Sequence, residues 1–441
     1  MNEKDATFLK IEHYSDHPEV RTAAEILVNG YARNKQFIKG RDSWNKAARK
    51  LIASVWVRDE DMFRFSTKKD YFSRGNRKQV WLTSKTLKLF KTMESLDWVT
   101  KEIAAVPPKY SKKHSGGLAA VYSRTTRFKE LLSAIAIQDI ELDDDLPLVT
   151  LTDDEGNYKE LTNGYMSTES YSNTVDILNR HYQLLRDSDV RDAKGALLAL
   201  DKLRYRRRFK EHMGIGGRFY SPFCNLSKRE RLSVTIQGKS VGSLDFSQLH
   251  PTLILLLTYG VGEETNLFAT GDVYSMPDYP DLPRQAHKKF INTIFNASSA
   301  ESAARSIATA TEYWDIIEDC PAFITYKGNE KRVGYPVWSA PTVANARKYV
   351  EQFLYWHSSF EEAVASEKWG TYQLIDSSIL ESVISKATSA EIPVLPVHDE
   401  VIVPVEHRHE VHDMMVSAFH EVTQHKFSEH QPKIKWETQP N

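Results

Sequence analysis

Two aspartates that lie far apart in the sequence, Asp245 and Asp399, have surroundings typical of catalytic carboxylates. Asp245 lies in the segment LDFSQLH, and Asp399 lies in VHDE, between the apolar runs IPVLP and VIVPV. Two carboxylates brought together can hold two Mg²⁺ ions, one lowering the pKa of an attacking hydroxyl and the other stabilising a leaving pyrophosphate. The backbone carbonyl of Phe246 is a further candidate ligand. We expect two Mg²⁺ ions as cofactors, with Mn²⁺ as a substitute.

Short strands are predicted to position Asp245. The stretch RLSVTIQGKSVGSLDF predicts two strands joined at Gln237-Gly238, with Asp245 near the end of the second strand. A helix should follow, because Pro251 suits the first turn of the apolar segment PTLILLLTYG and Gly260 can terminate it. Taken alone, an Asp-x-Ser segment favours the alternative, a surface aspartate that caps this helix.

A second pair of strands is predicted around Asp399. Residues 392–397 and 401–405 are apolar and rich in β-branched residues, and they fit a hairpin with His398-Asp399 at its tip. In such a hairpin Asp399 would project beside the strand that bears Asp245. The two segments together therefore favour a shared carboxylate site.

A predicted helix between the two aspartates carries cations. In RQAHKKFINTIFNAS, Arg284 and Lys288 are four residues apart and so share a helix face, which Ile291 and Phe295 would extend. A guanidinium and an ammonium fixed on this face could neutralise the charge that develops on a leaving pyrophosphate. The alternative is a basic surface helix, which would be the better interpretation without the carboxylates.

The net charge of −1 conceals an uneven distribution. Residues 1–130 hold 27 Lys and Arg against 15 Asp and Glu, whereas the remainder holds 31 against 44. A basic front joined to an acidic remainder suggests a polyanion-binding module attached to a part that needs carboxylates. The acidic stretch ELDDDLPLVTLTDDEGN, at 141–157, is predicted to be a linker or exposed loop after the basic region.

The basic region has the order of elements found in a winged-helix module. Thr83 or Ser84 can cap a helix, which is followed by a strand-like WVTKEIAAV, a basic loop PPKYSKKHSGG and a strand-like LAAVYSRTTRF. In a winged helix, the helix enters a DNA groove and the loop contacts phosphates. The alternative is an amphipathic surface helix with a basic hairpin. The apolar positions of the helix are Leu87, Phe90, Met93 and Leu96. The cations of its other face are Lys85, Lys88 and Lys91.

A cationic cluster precedes Asp245, after a predicted helix SNTVDILNRHYQLLRDSDV. Six cations fall within residues 202–210, and they would repel one another unless phosphate or acidic neighbours compensate. The backbone of a template-primer duplex is one such partner, and a solvated helix face is the alternative. The cations are Lys202, Arg204, Arg206, Arg207, Arg208 and Lys210.

The composition is that of a soluble globular protein with two or three domains, 41% hydrophobic and 27% charged over 441 residues. The N-terminal MNEKDATFLK does not have the layout of a signal peptide, and the apolar run LILLLTYGVG is too short to span a bilayer. We therefore expect a cytoplasmic protein without membrane contact. Cys224 and Cys320 lack metal-ligand spacing and are expected to be reduced thiols.

Taken together, LDFSQLH, the R-x-x-x-K of RQAHK, and VHDE resemble motifs A, B and C of the family A DNA polymerases, in the order of that family. The stretch GRFYSPFCNL also resembles the G-R-L-S-S-x-x-P-N-L of the family, with Gly217, Arg218, Asn225 and Leu226 at matching spacing. The resemblance covers residues 216–405 and does not reach the N-terminal region. It is nearest to compact relatives of phages, plasmids and mobile elements, some of which act as primases.

The resemblance implies roles for the residues at matching positions. Asp245 and Asp399 would bind the metal ions, and Glu400 would be a carboxylate close to the primer terminus. Arg284 and Lys288 would grip the triphosphate.

Three further residues would contact the nucleic acid. His398 would position the primer end, while Arg218 and Asn225 would touch the minor groove of the primer-template or the incoming nucleotide.

Two departures from the family pattern concern the sugar. His250 stands where the family has a Glu that blocks a ribose 2′-hydroxyl, and Asn292, Asn296 and Ala297 stand where motif B has an aromatic residue and Tyr-Gly. Phe295 is a candidate substitute for the missing aromatic ring. Because sugar discrimination depends on crowding one hydroxyl, these changes predict tolerance of ribonucleotides.

The expected fold is α+β, a right-hand polymerase with an antiparallel palm sheet, helical fingers and thumb, and an N-terminal winged-helix-like domain. The expected domains are a basic nucleic-acid-binding domain at 1–140, a linker and thumb-like region at 141–215, and palm and fingers at 216–441. No segment resembles a nuclease domain, so proofreading is not expected.

The expected activity is template-directed attack of a primer 3′-hydroxyl on an NTP, in the replication of a phage or mobile element. The expected partners are DNA template-primer, NTP or dNTP, and an accessory protein or helicase. One alternative is a primase or single-subunit RNA polymerase that starts chains de novo. Another is a non-catalytic DNA-binding initiator, against which the intact acids argue because idle paired carboxylates cost stability.

Overall fold

The computed structural model describes residues 9, 13–32, 40–57, 62–66, 83–105, 119–136, 140–142, 147–153, 158–159, 161–261, 271–279, 282, 284–309, 342–361, 369–424 and 426–439. The chain forms two compact units, Met1–Tyr171 with Ala199–Arg206, and Ser172–Leu198 with Arg207–Asn441. Both contain helices and antiparallel strands, so the predicted α+β class is confirmed.

The first unit contains a helical core and a small sheet. Its helices are α1 (Pro18–Ala32), α2 (Arg41–Trp56), α3 (Ser84–Ser95), α4 (Thr126–Leu131) and α5 (Asn163–Met166). Helix α6 (Glu169–Asp187) continues into the second unit, and α7 (Leu200–Leu203) belongs to the first. Its strands are β1 (His13–Tyr14), β2 (Met62–Phe65), β3 (Val99–Ile103), β4 (Ala120–Arg124), β5 (Glu141–Leu142), β6 (Val149–Thr152) and β7 (Tyr158–Lys159). Strands β2, β4 and β3 form an antiparallel sheet in that order, while β1 pairs with β5 and β6 with β7.

Helix α3 begins where the sequence predicts. Thr83 caps it through a reciprocal capping box with Thr86, which satisfies two backbone N–H groups at the helix start. Leu87, Phe90 and Met93 are buried in the core of this unit, as expected. The strands β3 and β4 follow in the predicted order, and the basic loop between them, 107–117, lies outside the described residues.

The cations of α3 differ in their environment. Lys88 and Lys91 are exposed, whereas Lys85 is half-buried. The ammonium groups of Lys85 and Lys88 lie 5.6 and 5.9 Å from the centre of the Trp44 ring, so both have cation–π contacts.

The second unit is organised around a twisted antiparallel sheet. Its strands are β8 (Val190–Arg191), β11 (Thr235–Ile236), β12 (Lys239–Phe246), β13 (Leu395–Val397), β14 (Glu400–Pro404) and β15 (Ile434–Thr438). Strands β9 (Arg206–Lys210) and β10 (His212–Tyr220) lie between β8 and β11 in the chain and are neighbours in a separate sheet. The strand order of the twisted sheet is β13-β14-β12-β11-β8, and β15 also pairs with β12. Strand β12 is thus the centre of this sheet.

Both predicted hairpins are confirmed. Strands β11 and β12 are joined by Gln237-Gly238, whose φ angles of 52° and 73° suit a two-residue turn of the kind that matches strand twist. Strands β13 and β14 pair Val397 with Glu400, which leaves the two residues between them at the tip.

Among the described residues, seven α-helices lie wholly in this unit, and those from α9 to α13 share an apolar core. They are α8 (Lys228–Leu232), α9 (Leu249–Tyr259), α10 (Arg284–Asn296), α11 (Ala300–Thr309), α12 (Val343–Trp356), α13 (Trp369–Ser389) and α14 (Arg408–Val422). Helix α9 has Pro251 in its first turn and ends at Gly260, as predicted. None of the described helices is both long and apolar enough to cross a bilayer. Cys224 is a free thiol, and Cys320 lies outside the described residues.

The cationic cluster around residue 207 is a strand, so the alternative of a solvated helix face is wrong. In β9 the side chain of Arg207 is 3% exposed, and it forms an ion pair with Glu381 and donates to the carbonyl of Gly217 at 2.8 Å. Burial by itself lowers the pKa of Arg207, and Glu381 opposes this shift. The nucleic-acid role predicted for Arg207 is therefore corrected, because alternation along a strand turns this side chain inward. Arg208 is exposed and lies 4.8 Å from the centre of the Tyr220 ring.

The buried His181 of α6 predicts a pH-dependent loss of stability. Its Nε2 lies 2.8 Å from the carbonyl oxygen of Val394, and burial lowers its pKa from 6.5 to about 4. The unfolded chain thus binds one more proton between these values, so stability should fall as the pH drops from 6.5 towards 4. The loss should be on the order of 3 kcal/mol.

Urea denaturation from pH 7.5 to about 4 should show this dependence reduced in His181→Gln. The matched control His409→Gln, at an exposed position, should keep it. An unchanged pH slope in His181→Gln would disprove the assignment.

Candidate active site

The two predicted aspartates face one cleft in the second unit. Strands β12 and β14 pair with Asp245 opposite Glu400. Asp399, the residue before Glu400, therefore lies beside the end of β12. The backbone N–H of Phe246 donates to the carbonyl of Asp399 at 3.3 Å. Asp245, Phe246 and Asp399 all line a cleft of about 430 Å³. The hairpin tip thus meets the central strand, as the sequence requires of a shared carboxylate site.

The negative charges of this cleft perturb one another. Burial and the charges of Asp399 and Glu400 raise the pKa of Asp245 to about 7, against the opposing charge of Lys288. Such a cluster is unfavourable unless cations approach it. The arrangement therefore suits the binding of a positively charged partner.

Glu400 is held away from the cleft by an ion pair. Its Oε2 accepts from Arg231 at 2.9 Å, both side chains are largely buried, and Glu400 is not among the residues that line the cleft. Arg231 also donates to the carbonyl of Leu226 at 2.7 Å, which fixes the guanidinium. Direct contact of Glu400 with a primer terminus is therefore not supported. Its charge acts on Asp245.

One face of α10 supplies cations and amides to the cleft. Arg284, Lys288, Asn292 and Asn296 all line it and recur every four residues. The Nη2 of Arg284 donates to Asp272 Oδ1 at 3.0 Å, so this guanidinium already has a carboxylate partner.

The predicted extension of this face through Ile291 and Phe295 is wrong. Both residues are buried, and Phe295 packs against Phe353 and Phe360 in the apolar core. Residues three and four apart both lie near one helix face, so the spacing alone does not decide which of two neighbouring rows faces the cleft. Because the row with Ile291 and Phe295 is buried in the apolar core, the row with Asn292 and Asn296 faces the cleft. Phe295 therefore cannot replace a nucleotide-binding aromatic residue.

A third group of cleft residues surrounds a buried carboxylate. Arg218 donates through Nε and Nη2 to Asp376 Oδ2 at 3.3 and 3.1 Å, and His250 Nε2 lies 3.2 Å from the same oxygen. The centre of the His250 ring is 4.6 Å from that of Trp369. Arg218, His250 and Trp369 line the cleft, and Asp376 lies behind them at 1% exposure.

The remaining predicted contacts have separate positions. His398 lines the cleft at φ 59°, and burial followed by the charge of Arg218 lowers its pKa. Asn225 ends the short 3-10 helix Pro222–Asn225 and does not line the cleft. The exposed Arg208 does not line the cleft, whereas the half-buried Arg206 and the lysines of α3 belong to the first unit.

Several cleft residues were missed by the sequence analysis. Trp369 and Gln373 come from α13, which also carries Asp376 behind them, and Lys435 lies on β15 in register with Asp245. Tyr274 also lines the cleft, and burial together with the charge of Asp399 raises its pKa. These residues have no shared spacing. A buried aspartate within the apolar stretch LIDSSIL was the one usable signal.

The donor atoms fit a hard divalent cation that arrives with a substrate. Asp245, Asp399 and the carbonyl of Phe246 offer oxygen ligands. In the part of the chain that the structure describes, no group of three or more His, Cys, Asp or Glu side chains could hold a metal by itself. Mg²⁺ is commonly held by one or two carboxylates and completed by substrate phosphates and water. The carboxylate pair matches that pattern.

Removing the partner of Glu400 should destabilise the second unit. Arg231→Met would leave a largely buried carboxylate unpaired, and we expect the free energy of unfolding to fall by about 3 kcal/mol. Adding Glu400→Gln to this variant should recover part of the loss, because the uncompensated charge disappears.

Urea denaturation of both variants at neutral pH measures the effect. Lys239→Met is the control, because its pair with Glu406 is exposed and should contribute under about 1 kcal/mol. Equal losses in Arg231→Met and Lys239→Met would contradict the buried-charge account.

The sequence matches no protein-family model and no curated protein sequence. Among solved structures, the chain is similar to the POL domain of Pol1 from M. smegmatis in complex with DNA primer-template and dNTP. The identity is 15%, the TM-score is 0.30, and the match covers 60% of this chain and 51% of that chain. This chain thus spans about half the length of the solved chain. The similarity is weak, so the function is inferred from the residues of the cleft.

Proposed function

We propose that this protein is a template-directed nucleotidyltransferase that extends a nucleic-acid primer. The observation that carries the proposal is the meeting of Asp245 and Asp399 in one cleft with Lys288 and Arg284 on the adjacent helix face. Paired carboxylates and paired cations are the two charge sets that phosphoryl transfer from a nucleoside triphosphate requires. The carboxylates come from strand β12 and the tip of the β13–β14 hairpin, and the cations come from helix α10.

In this mechanism the residues of the chain act mainly by binding and orientation. Lys288 has no ion-pair partner among the described residues, so its ammonium can neutralise charge on the β- and γ-phosphates. Arg284 is paired with Asp272. When substrate binds, its guanidinium would either leave Asp272 to bind a phosphate group or remain paired and hold Asp272 near the mouth of the cleft. Tyr274 lies 5.0 Å below the Arg284 guanidinium and limits its movement.

Asp245 and Asp399 would hold Mg²⁺, which when bound lowers the pKa of the attacking hydroxyl and stabilises the leaving pyrophosphate. His398, at the hairpin tip beside Asp399, would orient the primer end. Arg218 would contact the primer-template from the wall it shares with Asp376.

Nucleic-acid binding by the first unit is a further part of the proposal. The order α3, β3, β4 and the sheet order β2-β4-β3 support a winged-helix-like module with α3 as the helix that contacts DNA. The exposed Lys88 and Lys91 would contact phosphates there, with Lys85 closer to Trp44. Arg206 and Arg208 on β9, and Asn225, are candidates for contacts with the template-primer backbone.

A primase or single-subunit RNA polymerase is the second candidate. It is favoured by His250, because the cleft presents an imidazole in place of the glutamate that would crowd a ribose 2′-hydroxyl. The chemistry is the same, but synthesis would begin without a primer. A non-catalytic initiator is disfavoured, because the partly buried Asp245, whose pKa is raised by Asp399 and Glu400 as well as by burial, costs stability unless a cation is bound.

The catalytic proposal predicts the effect of neutralising one carboxylate. Asp399→Asn should abolish Mg²⁺-dependent nucleotide addition, by at least about 1,000-fold, while DNA affinity stays nearly unchanged. Asp245→Asn should do the same. The measurement is extension of a labelled primer, run with and without primer and with NTPs or dNTPs, beside fluorescence anisotropy for DNA binding.

Asp413→Asn is the matched control, because it neutralises an exposed aspartate on α14 that does not line the cleft. Retained addition by Asp399→Asn would remove that residue from the metal site. Synthesis from NTPs on a bare template would favour the primase over the primer-dependent enzyme.

The lysines of α3 give a separate prediction for DNA binding. Lys88→Ala with Lys91→Ala should weaken binding about tenfold and reduce the salt slope of the affinity by about 2, because two phosphate contacts are lost. Arg127→Ala with Lys129→Ala removes the same charge from exposed positions of α4 and should leave the salt slope nearly unchanged. Equal effects of both pairs would show that α3 makes no specific contact.

A further inference from the structure

Asp376 is a fully buried carboxylate that the proposed reaction does not itself use. It lies on α13, and its Oδ2 contacts both Arg218 and His250, whereas its Oδ1 is buried without a hydrogen bond to any described residue. Burial by itself raises the pKa of Asp376, but His250 and Arg218 outweigh it, and the net shift is downward. An ionised carboxylate behind the cleft is therefore stabilised by two groups that face the cleft.

The contact with Asp376 fixes the orientation of the His250 ring. An ionised Oδ2 can only accept, so its 3.2 Å contact with Nε2 is a hydrogen bond in the tautomer that carries the proton on Nε2. The Nη2 of Arg218, 3.2 Å from the same nitrogen, donates to Oδ2 as well, so the two basic groups share one acceptor. The other ring nitrogen, Nδ1, makes no hydrogen bond to a described residue and is the acceptor that a neutral imidazole offers to a ligand.

The groups that line the cleft indicate where the base, the sugar and the phosphates of a bound nucleotide would lie. Phosphates belong near Lys288 and the carboxylate pair, as argued above. Trp369 offers a flat aromatic surface to a base, and His250 is in edge contact with its ring at 4.6 Å between centres. The sugar lies between base and phosphates in any nucleotide. Among the polar side chains that line the cleft, which include Gln248, Asn292, Asn296 and Gln373, His250 is the one in ring contact with Trp369, so it can meet a sugar whose base lies on that ring.

We propose that Asp376 is a positioning residue that holds His250 to accept a hydrogen bond from the 2′-hydroxyl of an incoming nucleotide, so that the protein selects ribonucleotides. This inference rests on the proposed nucleotidyltransferase activity and replaces mere tolerance of ribose by recognition. A site that hydrogen-bonds a hydroxyl discriminates against the analogue that lacks it, because its polar group is left unpaired.

The test compares single-nucleotide addition by NTP, dNTP and 3′-deoxy-NTP on one primer-template. The wild type should favour NTP over dNTP in kcat/KM and should use 3′-deoxy-NTP as well as NTP. His250→Phe, which keeps a ring without a hydrogen-bonding nitrogen, should reduce the NTP preference at least about tenfold, mainly by raising KM for NTP. Asp376→Asn should shift the ratio in the same direction, and the double variant should add little to His250→Phe.

Glu421→Gln is the matched control, because Glu421 contacts Ser382 and Lys386 on the outer side of α13 and should leave the ratio unchanged. Should Asp376→Asn fail to fold, His250→Phe carries the test, with thermal denaturation run on every variant. Equilibrium binding of NTP and dNTP by the wild type and His250→Phe, in Mg²⁺ without primer, provides a second readout.

The outcomes separate the two proposals. A wild type that adds neither NTP nor dNTP overturns the proposed function and this inference with it. A wild type that adds nucleotides, but whose sugar ratio survives His250→Phe, overturns only the role of Asp376 and His250. A preference that depends on the 3′-hydroxyl instead also overturns it.

Discussion

The pairing of β12 with β14 is the constraint on which the rest of the second unit depends. Its register sets Asp245 opposite Glu400 and places Asp399 just before β14 begins. Three carboxylates are therefore concentrated at one end of the central strand. A slip of one residue would turn Asp245 to the other face and remove the site. The register is held by the two-residue tip of the β13–β14 hairpin and by β15 on the other side of β12.

The surrounding elements compensate this charge in different ways. Arg231 pairs with Glu400 in a largely buried position, whereas Lys288 approaches Asp245 from α10 without a carboxylate partner among the described residues. Lys435, in register with Asp245 on β15, brings a further cation to the cleft. Compensation is therefore complete at the back of the sheet and open towards the cleft. In the proposed reaction, that asymmetry would allow a cation-bearing substrate to bind.

Helix α13 links the cleft to the neighbouring strands. Glu381 of this helix pairs with Arg207 of β9. Asp376, earlier in the same helix, pairs with Arg218 of β10. Gly217, between the two arginines of this network, has φ 76°, and a Cβ there would lie 2.8 Å from the Phe209 ring. The close approach of β10 to Phe209 of β9 and to Ser377 of α13 thus requires glycine, and it fixes where Arg218 can reach. Buried charge pairs in this helix orient the cleft wall.

The sequence by itself determined the local elements that carry the acids. Turn residues at Gln237-Gly238 and the β-branched runs around His398-Asp399 encode two hairpins, and the capping residue Thr83 encodes the start of α3, because these signals act over a few residues. Only the tertiary structure decided that Asn292 and Asn296 of α10, and not Ile291 and Phe295, face the cleft with Lys288. Residues three and four positions from Lys288 both lie near the same helix face, so the sequence spacing does not distinguish the two pairs. The tertiary structure also decided that Arg207 is buried and that Asp376 lies behind His250. Those outcomes depend on contacts between segments more than a hundred residues apart, and no local pattern records such contacts.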